Sequence, residues 1–148
     1  MQHPEIPALS HYVPAHEGPE DELVKTFPLQ LITWKGKNRA NSTQYANPWL
    51  IEAQQQKLWI NPQDAQKRGI AQGDTVRIHN ARGICEIPAE VTPRIIPGVV
   101  AMQAGAWWQP DAQGIDKGGC ANVLSSARIT ALAKGNSHQT MLVEVAKA

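Results

Sequence analysis

The fold is decided by residues 58–98, LWINPQDAQKRGIAQGDTVRIHNARGICEIPAEVTPRIIPG, where element boundaries follow one another closely. Asn61 is a favourable helix N-cap, and Pro62 takes the first helical position, where its missing N–H costs no hydrogen bond. Gly69 can adopt the left-handed conformation that ends a helix. These signals predict one short helix that begins after Asn61 and ends before Gly69.

The rest of this stretch and its flanks predict short strands. Residues 75–79 alternate Val76 and Ile78 with Arg77 and His79, as a half-buried strand does. Further strands are predicted at 28–34, 58–60, 84–91, 99–102 and 141–145. A second short helix is predicted after the Asn-Pro pair at 47–48. The expected class is therefore mainly β with short helices.

Length and composition exclude several classes of protein. The 148 residues fit one domain, and a formal net charge of +1 gives no electrostatic case for binding nucleic acid or an anionic membrane. No apolar run reaches the length of a membrane span. Cys85 and Cys120 form neither a CxxC motif nor a disulfide framework, and Cys85 is expected to be a buried small hydrophobic residue.

The first 26 residues differ in composition from the rest of the chain. They hold four prolines and an acidic cluster, without a sustained apolar period or the apolar core of a signal peptide. Residues 1–26 are therefore predicted to form an extended arm or interdomain linker, and residues 27–148 the folded domain.

A basic loop is predicted directly after the first strand. Residues 25–51 contain no acid but four bases, Lys25, Lys35, Lys37 and Arg39. Arginine forks and backbone N–H groups in such a loop suit a phosphate or pyrophosphate group. The same pattern is also typical of a merely solvated basic loop, and the residues alone leave both interpretations open.

The tryptophans are the unusual part of the apolar composition, with five Trp against one Phe. Trp49 is expected to lie in the core, on one side of the second short helix. Trp107 and Trp108 lie in a long Gly-rich segment of the kind that tends to be functional. One of these two side chains is expected to point inward and the other outward.

Several segments resemble one known family. In chain order they are WKGKNRANST (34–43), INPQDAQKRGIAQGDTVRIHNARG (60–83), VTPRIIPGVV (91–100), GAWWQPDAQGIDKGGCANVL (105–124) and AKGNSHQTMLVEV (133–145). From about Phe27 to its end, the chain resembles the C-terminal molybdopterin-dinucleotide-binding domain of the dimethyl sulfoxide reductase family of molybdenum enzymes. It is most similar to the catalytic subunits of the anaerobic dimethyl sulfoxide reductases.

The resemblance implies a fold and a cofactor. The fold is a double-psi β-barrel, six-stranded and pseudo-symmetric, with short helices at its corners. The function implied is binding of a bis(molybdopterin guanine dinucleotide) molybdenum cofactor, which the domain shares with other domains of a longer catalytic subunit. That parent enzyme would reduce S-oxides or N-oxides such as dimethyl sulfoxide in anaerobic respiration.

The resemblance also implies partners and a location. The partners are the rest of the catalytic subunit, an iron–sulfur electron-transfer subunit and a membrane anchor, without nucleic acid. The parent enzyme would lie in the periplasm or on the periplasmic face of a membrane. Because the family's molybdenum ligand lies in another domain, this chain is expected to hold no catalytic residue and no metal ligand, and to show no turnover alone.

The site residues follow from the match to the family pattern Arg-x-His-Ser-Thr. This chain has Arg-Ala-Asn-Ser-Thr at 39–43, so an asparagine stands where the family has histidine. Asparagine still donates and accepts hydrogen bonds, although it cannot serve a role that needs an imidazole. The cofactor-binding residues implied by the resemblance are Thr33, Trp34, Lys35, Lys37, Arg39, Asn41, Ser42, Thr43, Asn122, His138 and Gln139.

Two other classes of function are alternatives to cofactor binding. A stand-alone double-psi barrel could act as a protein-interaction or adaptor module, which predicts an exposed apolar patch and no response to nucleotides. A nucleic-acid-binding barrel could use Lys35, Lys37 and Arg39, but it would need basic residues spread over one face and a higher net charge. The nucleic-acid hypothesis ranks last.

Overall fold

A computed structural model describes residues 8–130, 132–136 and 139–148 of the chain. In these ranges the strands are β1 (Leu29–Trp34), β2 (Leu58–Ile60), β3 (Thr75–His79), β4 (Ile84–Val91), β5 (Val99–Gln103) and β6 (Met141–Lys147). The α-helices are α1 (Pro48–Ala53) and α2 (Pro62–Lys67), and two 3₁₀ turns span Glu22–Lys25 and Ala121–Val123. No helix in the described residues is long and apolar enough to cross a membrane.

The six strands close into a barrel in the order β1-β5-β2-β4-β3-β6. Two neighbouring pairs are parallel, β1 with β5 and β2 with β4, and the other four pairs are antiparallel. If β1 is exchanged with β4, β2 with β5 and β3 with β6, the pattern of parallel and antiparallel pairs is unchanged. The topology therefore has a pseudo-two-fold axis, and the predicted six-stranded, pseudo-symmetric barrel is confirmed.

The core fills the interior of the barrel. Side chains alternate inward and outward along each strand, and the inward ones are almost fully buried. Burial of each large apolar side chain contributes about 1.5–3 kcal/mol to the free energy of unfolding. Cys85 is among the buried residues, as predicted. The residues with the least exposed surface include Leu31, Leu58, Ile60, Val76, Ile78, Val100, Met102 and Met141.

Helix α2 has the caps that the sequence predicts. The side chain of Asn61 accepts a hydrogen bond from the backbone N–H of Gln63 at 2.9 Å, and Gly69 follows with φ +64°. The same Asn61 amide donates to the carbonyl of Ile95 at 2.7 Å. Asp64, buried in the helix, accepts from the backbone N–H of Gly98 at 2.6 Å. These bonds join α2, which follows β2, to the turn that follows β4.

The placement of three tryptophans differs from the prediction. Trp49 is 80% exposed, because α1 buries none of its residues and no other element of the described ranges covers its outer side. Trp107 and Trp108 are both exposed, at 49% and 61%, so the expected inward-pointing member is absent. The Trp107 indole instead donates to the carbonyl of Ser42 at 2.8 Å and stacks on the Tyr45 ring, with centroids 5.7 Å apart.

The N-terminal arm contacts the barrel at Glu17. This side chain is buried, and its two carboxylate oxygens accept from the Arg82 guanidinium at 2.7 and 2.8 Å. One of these oxygens also accepts from the backbone N–H of Leu142 at 3.1 Å. The predicted division at residue 26 stays a prediction, but this part of the arm is docked on the barrel.

Candidate functional site

Two loops meet at one end of the barrel because β1 and β5 are parallel neighbours. The last residues of these strands, Trp34 and Gln103, are register partners. The basic loop (residues 35–47) and the Gly-rich loop (residues 104–120) therefore leave the barrel side by side. This is the β1/β5 end of the molecule. In parallel sheets, ligands bind outside the carboxyl ends of the strands.

The two loops interlock through contacts that only glycine permits. A Cβ atom at Gly36 would lie 1.5 Å from the side-chain nitrogen of Gln103. A Cβ atom at Gly105, whose φ is +89°, would lie 1.9 Å from the carbonyl oxygen of Asn41. The basic loop therefore packs at Gly36 on the side chain of the last residue of β5, and at Asn41 its backbone packs directly on the backbone of the Gly-rich loop at Gly105.

Arg39 is the central cation of this end. Its guanidinium lies 5.1 Å from the centroid of the Tyr45 ring and donates from Nη2 to Oε1 of Gln56. No carboxylate pairs with it within the described residues. Burial lowers the pKa of Arg39 from its ordinary value. The group is thus a partly buried positive charge without a negative partner.

Three buried polar side-chain atoms have no hydrogen-bond partner in the part of the chain that the structure describes. They are Nε1 of Trp34, Nε of Arg39 and Oε1 of Gln103. All three residues lie at the β1/β5 end. A buried donor or acceptor without a partner costs about 1–3 kcal/mol. Such atoms are expected where a ligand supplies the missing partner.

The other predicted residues of the basic loop are mainly exposed. Lys35 donates from Nζ to the side-chain oxygen of Asn41, which has a positive φ of 53°. The hydroxyl of Thr43 donates to the carbonyl of Ala40 at 2.6 Å. Lys37 and Ser42 are also exposed. These side chains add positive charge and hydrogen-bonding groups around Arg39.

Thr33 and Gln139 form a reciprocal pair at the same end. The backbone N–H of Thr33 donates to Oε1 of Gln139, and Nε2 of Gln139 donates to the Thr33 hydroxyl, both at 2.9 Å. The pair forms because β6 is antiparallel to β1, with Met141 opposite Leu31. The predicted site residue His138 lies outside the described residues.

Asn122 lies in the 3₁₀ turn Ala121–Val123, where its side chain is exposed. This turn packs on the β3–β4 hairpin, since a Cβ atom at Gly83 would lie 2.6 Å from the carbonyl oxygen of Val123. β3 is antiparallel to β6, and β6 is antiparallel to β1, so β3 runs in the same direction as β1. The hairpin that follows β3 therefore lies at the β1/β5 end. The structure thus brings the described predicted residues to one end, with Asn122 in a separate turn.

The Gly-rich loop is shaped by an internal carboxylate. Asp116 is fully buried and accepts from the backbone N–H groups of Gln109 at 2.8 Å and Cys120 at 2.6 Å. Its role is to hold the turns of this loop through their backbone N–H groups. In the described residues, no group of three or more His, Cys, Asp or Glu side chains could hold a metal ion.

Sequence analysis did not identify Tyr45, Gln56 and Gln103 as members of this site. Gln56 donates from Nε2 to the carbonyls of Gln103 at 2.8 Å and Gly119 at 3.0 Å. Because these partners lie 47 and 63 residues away in the chain, no local pattern marks the residue. The one available signal was the position of Gln103 directly after the strand predicted at 99–102.

The chain is similar in sequence to known proteins over most of its length. The family model described as "Molydopterin dinucleotide binding domain" matches residues 29–142. Dimethyl sulfoxide reductase DmsA of Escherichia coli (strain K12) is 52% identical over 143 residues, which are 96% of this chain and 17% of that protein. Trimethylamine-N-oxide reductase of Haemophilus influenzae is 39% identical over 135 residues, 84% of this chain and 16% of that protein.

A solved structure with the same fold is that of acetylene hydratase from Pelobacter acetylenicus. It superposes with a TM-score of 0.70 and 16% sequence identity, over 86% of this chain and 19% of the hydratase chain. At that identity the match concerns the fold alone. This chain spans about a sixth of the length of the curated relatives that it matches.

Proposed function

The chain belongs to the molybdopterin dinucleotide-binding domain family, and from this premise we propose that its β1/β5 end binds the phosphate-bearing part of the cofactor. The cofactor expected from the sequence, a bis(molybdopterin guanine dinucleotide) form of molybdenum, agrees with the family and its reductase members. The adaptor hypothesis lacks such support. The family assignment favours cofactor binding over protein interaction.

The observation that carries the proposal is the unpaired charge of Arg39. A partly buried guanidinium without a carboxylate partner favours a bound anion, because an anion would offset the cost of burying its charge. The planar fork of arginine matches the oxygens of a phosphate group. The buried Nε of Arg39 also lacks a partner among the described residues.

The remaining residues at this end fit the same group. Lys35 and Lys37 add two positive charges to the loop, and Thr33 with Gln139 and the turn of Asn122 supply polar groups beside it. Bound molybdenum would supply the oxygen-atom transfer chemistry. The residues of this chain would bind and orient the cofactor and cover it from water.

The activity of the whole enzyme is part of the proposal, since this chain spans about a sixth of its relatives. The parent would reduce an S-oxide or N-oxide, consistent with the names of the dimethyl sulfoxide and trimethylamine-N-oxide reductases among its relatives. By the family resemblance, it would work with an iron–sulfur subunit and a membrane anchor at the periplasmic face. Its exact oxide is set around the metal, in other domains.

A titration of the chain with guanosine diphosphate tests the proposal. GDP reproduces the guanosine and diphosphate half of the dinucleotide, and amide shifts would be followed by NMR up to millimolar concentration. The expected result is a set of saturable shifts confined to residues 33–43, Asn122 and residues 138–140. A well-dispersed spectrum that does not respond to GDP would contradict binding by this chain alone and return the adaptor hypothesis to first place.

A further inference from the structure

Gln56 joins three parts of the β1/β5 end through one side chain. Its Oε1 accepts from Nη2 of Arg39, and its Nε2 donates to the carbonyls of Gln103 and Gly119. Both ends of the amide are therefore used. Gly119 allows the contact, since a Cβ atom there would lie 2.4 Å from Cγ of Gln56. Gln56 thus connects the basic loop to the Gly-rich loop that leads to Asn122.

Tyr45 holds Arg39 from the other side. Its ring lies below the guanidinium, and its hydroxyl donates to the carbonyl of Gly118 at 2.9 Å. Burial raises the pKa of Tyr45, so its hydroxyl stays neutral and remains a donor at physiological pH. Tyr45 and Gln56 therefore tie Arg39 to two consecutive residues, Gly118 and Gly119, of the opposite loop.

The choice of an amide at position 56 has an electrostatic consequence. A carboxylate there would form a charge-assisted pair with Arg39 and cancel much of its charge. A glutamine accepts the same hydrogen bond without adding negative charge. The guanidinium is thereby held in one orientation while its charge stays available to an anion.

We propose that Gln56 is a positioning residue, which orients Arg39 without neutralising it and holds it in fixed relation to the segment that precedes Asn122. This inference rests on the proposed function, because the anion that Arg39 faces is the diphosphate of the dinucleotide. Gln56 need not touch the cofactor. It acts through Arg39, and of that guanidinium it takes the Nη2 donor.

The first part of the test uses the ligand-free chain, so its outcome does not depend on cofactor binding. The Nε–H signal of Arg39 would be followed in ¹H–¹⁵N spectra of wild type, Gln56→Ala and Gln55→Ala. Gln55 is the matched control, an exposed glutamine next in the chain. We expect a protected signal in wild type and Gln55→Ala, and a broadened or rapidly exchanging signal in Gln56→Ala. An equally protected signal in Gln56→Ala would overturn the inference.

The second part separates positioning from a merely structural role. Gln56→Glu keeps the acceptor for Arg39 but loses the Nε2 donor to the carbonyls of Gln103 and Gly119. The new ion pair should keep the Arg39 Nε–H signal protected, and GDP affinity should fall by about tenfold because the charge is cancelled. Gln56→Ala should lose a similar factor through disorder of Arg39, and Gln55→Ala should bind GDP as wild type does. A structural role predicts wild-type affinity in the ordered Gln56→Glu variant, and that result would overturn the inference.

The two proposals fail in different ways. If wild type ignores both GDP and inorganic pyrophosphate, dinucleotide binding by this chain is contradicted, while the Arg39 signal still decides whether Gln56 holds the guanidinium. If wild type binds and all Gln56 variants bind equally well, the proposed function stands and the role of Gln56 is rejected.

Discussion

The pseudo-two-fold axis relates two ends of the barrel that differ in how their polar groups are satisfied. At the β2/β4 end, α2 and the turn of residues 92–98 follow the parallel strands. There Asn61 donates to Ile95, and Asp64 accepts from Gly98, so the buried polar side chains are used internally. At the related β1/β5 end, longer loops leave buried polar atoms without partners within the described residues.

One topology therefore serves two purposes in this molecule. The β2/β4 end closes on itself with a short capped helix, and its hydrogen bonds contribute to stability. The β1/β5 end has the same arrangement of parallel strands, but its loops carry an unpaired guanidinium and exposed polar side chains. Stability and binding should therefore respond to substitutions at different ends.

The largest effect is expected where the two loops interlock. Gly105→Ala places a Cβ atom 1.9 Å from the carbonyl oxygen of Asn41 and forces a side chain into a left-handed conformation. We expect the free energy of unfolding to fall by about 3 kcal/mol, because clash and backbone strain add. Denaturant unfolding followed by circular dichroism measures the change.

The matched control for Gly105 lies at the opposite end. Gly98 has a similar φ of +83°, but a Cβ atom there meets nothing within 4 Å. Gly98→Ala should therefore cost only the strain of the left-handed conformation, about 1 kcal/mol. Equal losses in the two variants would mean that the loops of the β1/β5 end do not interlock as described.

The second prediction tests whether binding is confined to one end. Arg39→Gln should weaken GDP binding by about ten- to a hundredfold, or about 1.4–2.7 kcal/mol, because a charge-assisted contact to phosphate is lost. The free energy of unfolding should change little, because the hydrogen bond to Gln56 and the contact with the Tyr45 ring are lost while an unpaired, partly buried charge is removed. Isothermal titration calorimetry and denaturant unfolding measure the two quantities.

Arg94 provides the control for Arg39. It follows β4, with its guanidinium 6.0 Å from the centroid of the Trp59 ring, so it is also a cation beside an aromatic ring. Arg94→Gln should leave GDP affinity unchanged. If Arg94→Gln weakens binding as much as Arg39→Gln does, the effect reflects net charge and the asymmetry between the ends is lost.

Much of the fold could be predicted because its signals are local. The cap of Asn61, the proline after it and the left-handed Gly69 lie within nine residues, so helix α2 was predicted correctly. Strand alternation is equally local, as in β3. The family resemblance then supplied the closure of the barrel and the cofactor, and the family assignment confirms that resemblance.

The rest depended on contacts between distant parts of the chain. The sequence of α1 indicates a helix but not that its outer side stays uncovered, so Trp49 was wrongly expected in the core. Trp107 is exposed because its indole bonds to Ser42, 65 residues away. The contacts that Tyr45 and Gln56 make with Arg39 likewise come from separate segments of the chain. The cofactor-contact roles taken from the family stay predictions until ligand binding is measured.

A third prediction concerns the β2/β4 end, where the buried polar side chains bond within the molecule. Asn61→Ala removes the cap of α2 and leaves the buried carbonyl of Ile95 without its donor. The free energy of unfolding should fall by about 1.5 kcal/mol, with no change in GDP affinity. Asn47→Ala removes the equivalent cap of α1, which buries no residue, and should cost only about 0.5 kcal/mol. A loss of GDP binding in Asn61→Ala would show that the two ends are coupled.

The smallest effect is expected at the anchor of the Gly-rich loop to the barrel wall. Lys117 of that loop and Arg77 of β3 both pair with Glu86, a buried carboxylate on β4. Hydrogen bonds from Lys117 and Arg77 lower the pKa of Glu86 below its ordinary value. The carboxylate therefore adds stability that is fully present above its unfolded pKa of about 4.3 and is lost as the pH falls through the lower folded pKa.

Glu86→Gln tests this anchor through its pH dependence. The variant should be about 1 kcal/mol less stable than wild type at neutral pH, because both cations are partly exposed and each pair is weak. The difference should shrink as the pH falls below about 4, where the wild-type carboxylate also becomes neutral. Glu90 lies four residues further along β4, on the same outward face, and Glu90→Gln should have the same free energy of unfolding as wild type at every pH. If Glu86→Gln and wild type lose stability in parallel as the pH falls, the ion pairs do not hold the Gly-rich loop, and its order at the β1/β5 end must come from the hydrogen bonds of Asp116, Tyr45 and Gln56 and from the glycine contacts.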